Sequence, residues 1–499
     1  MLKKLLTLLA FAYFIQVNAQ PYAASNFTLC SKIDPQPGTG SKYSGCWGWY
    51  QASKNREYAI AGSASGTYFV DVTNPYQQVV CDFEPGKITT TVWREIKTYQ
   101  NYCYVASDDS GPNSFQIFDM QYLPDSVHKV HDSQDLFKRG HALWIDQNRL
   151  YVSSVTYSDN TKSTLNVYSL ATPTLPVLIR KLNQDAPFIT TVHDTYANND
   201  TVFVSAAYQG LYVFTFNPAS PAFTQVGSLT SYVSSGYNHS SAITPNRKTL
   251  VFMDEVPASL PIKVADVQNL GNIQVLATIN QGSLTTPHNP FMANDSLCFV
   301  SSYQDGLQLF NIKNPSAPFL AGYFDTYPQG GFNTGTYPGG AYNGQWGAYP
   351  YLPSKNIFAL DMKNGLFMLK THLFSNPTNN GGEGGGPTGP TGGESVGTST
   401  GSILTGIVEN EQTTSIAIYP NPTNGIVGFT IPVELINQPF EVDIIDVKGK
   451  TVMHSTSSDI KGVSYHKTLN VSTIESGIYF FKLTANKTVL KNSKLIIAK

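Results

Sequence analysis

Four histidines recur at nearly even intervals. His141, His193, His239 and His288 are separated by 52, 46 and 49 residues. Carried upstream in steps of 47, the same register meets Arg94 and then Trp47; carried downstream it meets Gln345, beside Trp346. Imidazoles brought together with carboxylates can hold a divalent metal or orient a polar ligand. Nitrogen and oxygen donors suit Zn, Ni or Fe better than they suit a soft ion. Acidic residues follow in the same units: Asp108, Asp109, Asp159, Asp254, Glu255, Asp305 and Asp361, with Asp194 beside His193. A structural role competes with this chemistry. A residue that recurs once per unit, and gives way to Arg94 or Gln345, can fasten one unit to the next through buried hydrogen bonds. Either role requires the histidines to meet in space, so the question passes to the elements that carry them.

Those elements repeat. A strand follows a short polar turn in EYAIAG, CYVAS, LYVSSV, VFVSAA, LVFMDE, CFVSS and IFALD. A next strand follows in GTYFVDV, NSFQIFDM, TLNVYSL, GLYVFTF, IKVADV, GLQLFNI and GLFMLK, often closed by Asn-Pro or Thr-Pro. A fourth leads away, as in QQVVCDF, PVLIRKL and PFLAGYF. Four strands repeating at about 40 to 50 residues mark a β-propeller blade. Such a sheet is apolar on both faces and buries them only by stacking on its neighbours. Seven starts are present: Trp47, Arg94, His141, His193, His239, His288 and Gln345. The last unit has three strands, and NFTLCSKI at residues 26–33 is expected to supply its fourth. Six blades is the alternative, if the weak first or fifth unit is misread. In a ring of blades the first strand is innermost. Arg94, His141, His193, Asp194, His239 and His288 are therefore expected at one mouth of a central channel, as ligand-binding candidates. His141, His193, His239 and His288 are the candidate ligands of a divalent metal.

The bulk composition fits. Of 499 residues, 13% are charged and 12% aromatic, and the formal net charge is -2. That balance carries no electrostatic footprint for nucleic acid. Lys3 and Lys4, the run LLTLLAFAYFI and the small residues Val17-Asn18-Ala19 form a secretory signal over residues 1–19. The run is too short to span a bilayer, and no later segment is apolar enough. Five cysteines follow: Cys30, Cys46, Cys81, Cys103 and Cys298. The odd number leaves at least one thiol free or paired to another chain. Cys103 and Cys298 lie in strand patterns, and Cys30 with Cys46 is the candidate disulfide.

CWGW, REYAIAG, GTYFVDVTNP, WREIKTYQNYCYV, GHALWID, VHDT, PHNPF and WGAYPYLPSKNIFALDMKNGLFMLK together resemble the choice-of-anchor B family. Its members are secreted LVIVD-repeat propellers, sometimes labelled regulatory P domains. The resemblance spans residues 26 to 371 and implies a propeller over 26–373. The family has no well-established activity, so the resemblance implies no chemistry.

Residues 374–412 are rich in Gly, Pro and Thr, without periodicity, and read as a flexible linker. GTSTG around Ser399 matches a nucleophile-elbow pattern but lacks the strand and helix that the elbow requires. Beyond it, residues 413–499 alternate as strands. Tyr419-Pro420-Asn421-Pro422 with Gly425, then Asp446 to Gly449, then Gly477 with Tyr479, and the Lys494 to Lys499 end resemble the type A C-terminal sorting domain of the type IX secretion system. That resemblance implies a small Ig-like β-sandwich, type IX machinery as a partner, and an address at the outer-membrane surface or beyond. An Ig-like carbohydrate-binding or spacer domain is the alternative.

Two roles of different class follow for the all-β chain. One is a monomeric, non-enzymatic binding module that displays a rigid ring to an extracellular protein or small ligand. The other is a metal-dependent, hydrolase-like enzyme using the four histidines with a nearby carboxylate as base. HExxH, the P-loop and GxGxxG in strand-helix context are missing from the chain, which favours the first. His128 and His131 form an HxxH placed where the second unit needs its outer strand, so a solvated edge is expected there. Trp47, Trp49, Trp93 and Trp346 could stack on sugar rings, but three fall at unit starts and are expected to pack between units.

Overall fold

The computed structural model describes residues 22–109, 111–280, 285–328 and 342–374 and, toward the C-terminus, 418–419, 423–431, 435, 438–460, 466–486 and 488–498. The leader with its Val17-Asn18-Ala19 site, residues 375–412 of the linker with Ser399, and Pro420, Asn421 and Pro422 lie outside the described residues.

The chain is all-β. Between Ala24 and Lys370 the described residues form seven antiparallel sheets in chain order. The first is Tyr43–Gln51, Arg56–Ser63, Gly66–Asp71 and Val79–Pro85. The next five open with Arg94–Tyr99, Ala142–Asp146, Asp194–Asn198, Asn238–Ile243 and Asn289–Met292. The seventh has Gln345–Tyr349, Ile357–Asp361 and Gly365–Lys370. Its fourth strand is Thr28–Ile33, antiparallel to Gly365–Lys370. Ala24–Ser25 adds a short fifth strand to the sixth sheet, beside Phe319–Phe324.

Burial explains the arrangement. Middle strands such as Thr249–Asp254 and Ile357–Asp361 are buried along their whole length. A strand covered on both faces reads as a continuous apolar run. Fourth strands such as Val177–Lys181 and Val79–Pro85 are half-buried or exposed. The first strands pack one on the next, from Tyr43–Gln51 through Gln345–Tyr349, and the last returns to the first. Neighbouring sheets share apolar clusters: Tyr151, Val167, Val204 and Phe214 join the third to the fourth, and Tyr43, Val70, Phe358 and Met368 join the seventh to the first. Close approach at that junction needs Gly48, because a Cβ there would fall 2.2 Å from the Tyr349 ring.

The expected Cys30–Cys46 bridge is not formed, and all five cysteines are free thiols. Cys30 lies on the outermost strand of the seventh sheet and Cys46 on the innermost strand of the first, so the sheet geometry holds them apart. His128 and His131 lie on the outer strand His128–Ser133 and do not chelate together. His128 stacks on Tyr122 at 3.8 Å between ring centroids, while His131 meets Phe115 edge-on.

The C-terminal segment has a three-stranded sheet (Ile418–Tyr419, Ile426–Thr430, His466–Asn470) and a four-stranded one (Thr451–Thr456, Glu441–Asp446, Gly477–Ala485, Thr488–Ile497). Val427, Phe429, Val442, Ile444, Phe481 and Leu495 fill one core. Gly449 takes φ +83° in a turn where Asp446 accepts from the backbone N–H groups of Lys448 and Lys450. Gly425 donates its N–H to Thr423, Gly477 opens its strand, and Lys494 lies on the last one. Among the described residues no helix is long and apolar enough to cross a membrane.

Candidate functional site

The starts of the first strands bring His141, His193, His239 and His288 together as neighbours. Their ring centroids are 4.2, 4.1 and 4.5 Å apart in that order. His288 then meets Trp346 at 4.2 Å, and Trp346 stacks on Trp93 at 4.7 Å. These six rings, with Arg94 and Asp194, line a small hollow of about 30 Å³. Trp93 and Trp346 belong to the same register as the histidines, one residue before Arg94 and one after Gln345. That offset is the signal that would have placed them here; Trp47 does pack between sheets as expected, on Tyr349, while Trp49 stacks on Tyr58 of its own sheet.

Hydrogen bonds fix the imidazoles. His193 Nδ1 lies 3.2 Å from the His239 carbonyl, and His288 Nδ1 lies 2.7 Å from the Trp346 carbonyl. A carbonyl only accepts, so both Nδ1 atoms carry the proton and each Nε2 keeps a lone pair. His141 Nε2 stands 2.8 Å from His193 Nε2, and its Nδ1 stands 2.7 Å from Asp108 Oδ2. Since His193 Nε2 can only accept, His141 donates there, and the Asp108 carboxylate takes its other N–H. Burial opposes that charge, but Asp108 outweighs it and holds the His141 pKa above its ordinary value. Burial drives His193 and His239 well below the histidine range and His288 down to about 4. The hydrogen bonds thus place protons on both nitrogens of His141, while burial disfavours charge on the other three rings.

The carboxylates divide. Glu255 reaches the ring: its Oε2 lies 3.7 Å from His239 Nε2, and its Oε1 accepts from the Tyr303 hydroxyl at 2.8 Å. His193, His239 and Glu255 offer donor atoms all within 4.8 Å of one another. The others serve elsewhere. Asp109 accepts from the Trp93 N–H, and exposed Asp159 accepts from Thr161. Asp254 pairs with Lys263, Asp305 is buried, and Asp361 holds the Lys363–Asn364 turn. Asp194 is driven up to about 6, chiefly by burial and then by Glu95. It lies between the mouth and a second small hollow, of about 40 Å³, that is also lined by Glu95, Lys97, Trp47 and Trp144. Arg94 lines the mouth, but its guanidinium is spent on carbonyls: Nε donates to Ser63 at 2.7 Å and Nη2 to Ile88 at 2.6 Å. It fastens the first sheet to the second.

The molecule is thus an all-β protein of four-stranded sheets with a ring of imidazoles and indoles at one end. Residues 417–498 match the family described as "Secretion system C-terminal sorting domain". This tail indicates handling by the type IX secretion machinery and export to the cell surface or outside. No curated protein matches the chain. Among solved structures, the computationally designed Ika8 protein is similar at 12% identity and TM-score 0.44, over 68% of this chain and 98% of its own. The N-terminal domain of Nup159 is similar at 11% identity and TM-score 0.42, over 69% of this chain and 94% of its own.

Proposed function

We propose that this is an exported seven-bladed β-propeller of the choice-of-anchor B, LVIVD-repeat kind, acting as a non-enzymatic binding module through one mouth of its channel. Seven successive sheets, first strands that contact one another in a closed cycle, and an N-terminal strand that completes the seventh sheet all support the ring. The leader takes the chain to the periplasm, and an Ig-like sorting domain beyond the linker takes it through the outer membrane. One observation carries the binding role: four imidazoles and two indoles from six different sheets converge on a single open hollow. Fastening sheets together does not require an unfilled space. A concave site with convergent polar groups is what a ligand site requires.

The test is a thermal-shift panel on the exported protein, with divalent cations, small carboxylic acids and soluble oligosaccharides as probes. A ligand at a hundred times its Kd adds about 2.7 kcal/mol of stability, which such a scan resolves. At least one class should raise Tm in the wild type and not in the His193→Ala/Trp93→Ala double variant. If no class does so, or if the shift survives in the variant, the mouth is not a binding face.

A further inference from the structure

We infer that the mouth is a built site for one divalent transition-metal ion of the zinc class, held by Nε2 of His141, His193 and His239 and by the carboxylate of Glu255. The inference rests on the reading of the mouth as a ligand face and names what that face takes. Three observations carry it.

First, three donors converge. Those of His193, His239 and Glu255 lie within 4.8 Å of one another, and His141, outside that set, places its Nε2 2.8 Å from His193 Nε2. Two imidazoles on one tetrahedral ion, with bonds of 2.0–2.1 Å, place their nitrogens about 3.3 Å apart. His141 and His193 need to part by about half an ångström, and His239 and Glu255, 3.7 Å apart, need to close by a similar amount.

Second, three of the four donors are held from behind, as metal ligands are. Asp108 takes the far N–H of His141, the His239 carbonyl takes that of His193, and the Tyr303 hydroxyl orients Glu255. Blade-to-blade fastening explains the bonds to the His239 and Trp346 carbonyls; it does not explain a partly buried glutamate aimed at imidazoles.

Third, one polar atom is left over. His239 is 2% exposed, and its Nδ1 has no hydrogen-bond partner. The His288 carbonyl draws on that ring without reaching hydrogen-bond geometry. A small turn of the ring brings Nδ1 onto the carbonyl and fixes Nε2 as the donor. A metal supplies the force that makes this turn, whereas the metal-free ring leaves an expensive orphan.

Three nitrogens and one carboxylate form a borderline donor set, which takes Zn, Co or Ni and rejects Ca and Mg. Binding displaces the proton between His141 and His193; it leaves to solvent, and His141 becomes neutral at Nε2.

The experiment is metal analysis of the full exported protein after stripping with a chelator and reloading with ZnCl₂ or CoCl₂. About one ion per chain should return, and Co²⁺ should give intense visible bands of a four-coordinate site. His193→Ala and Glu255→Gln should each weaken Zn²⁺ binding by a hundredfold or more. Asp108→Asn, half-exposed and remote from the core, should weaken it by 10- to 100-fold, and near-UV circular dichroism confirms that each variant is folded. A folded wild type that takes up no stoichiometric Zn²⁺ or Co²⁺ overturns the site, as does uptake unchanged in His193→Ala and Glu255→Gln. If the metal fails but an acid or oligosaccharide still shifts Tm through the mouth, only this inference falls. If no probe acts, the binding role falls with it.

Discussion

The carbonyl oxygen of Ile33 fills the space where a side chain on Gly365 would begin: a Cβ there would lie 2.2 Å from it. Gly365 also has φ +93°, a conformation costly for any other residue. These two residues, from opposite ends of the ring of sheets, fix where the N-terminal strand meets the last sheet. Gly365→Ala should therefore lower stability by about 2 kcal/mol or more. Gly40, with open space around it, should tolerate alanine within about 0.5 kcal/mol. Urea denaturation of the two variants compares them; equal midpoints would refute the closure.

Lys263 and Asp254 form an ion pair at 2.5 Å with both side chains fully buried, and Tyr232 donates to the second carboxylate oxygen at 2.7 Å. Removing one partner leaves the other charged and dry. Lys263→Met alone should cost about 3–5 kcal/mol, while Lys263→Met/Asp254→Leu should recover most of it. A double-mutant cycle by chemical denaturation measures the difference, and additive losses would contradict the pairing.

Asp325 has its pKa raised to about 7, mainly by burial, with the Asp361 charge adding to it. Its unfolded value is about 3.9. Between these values the folded state binds the extra proton, so stability falls as pH rises through the folded pKa. Asp325→Asn keeps the acceptor for the Tyr327 N–H. The variant should match the wild type near pH 4 and exceed it at pH 8, by on the order of 4 kcal/mol. A difference of opposite sign in Tm against pH would show Asp325 to be ionised and stabilised.

All five cysteines are free. Burial pushes the Cys103 and Cys46 thiols above the ordinary range and Cys298 up to about 12, so these three should resist alkylation in the native state. Mass spectrometry after iodoacetamide should find all five modified in denaturant without reductant. Any pair that needs reductant first marks a disulfide.

The sorting tail gives a cellular prediction. Deleting residues 413–499 should leave the protein inside the outer membrane, where protease added to intact cells cannot reach it. Delivery of the truncated chain to the surface would remove the export role.

The sequence alone determined the strand pattern, the recurrence of histidine and the sorting tail, because these depend on neighbours in the chain: alternation, turn residues and local motifs. It also carried the register that brings the four histidines together. It could not assign the acids. Asp254 and Glu255 are adjacent in sequence, yet one is sealed in a pair with Lys263 and the other faces His239. Successive residues leaving a strand point in opposite directions, and packing decides what each then meets. The same holds for Arg94, whose guanidinium is taken up by carbonyls of the neighbouring sheet, and for Cys30 and Cys46, which the sheets keep on different strands. Chain-local forces set which residues recur; only the stacking of sheets distant in sequence settled which of them are spent on the scaffold and which are left facing the mouth.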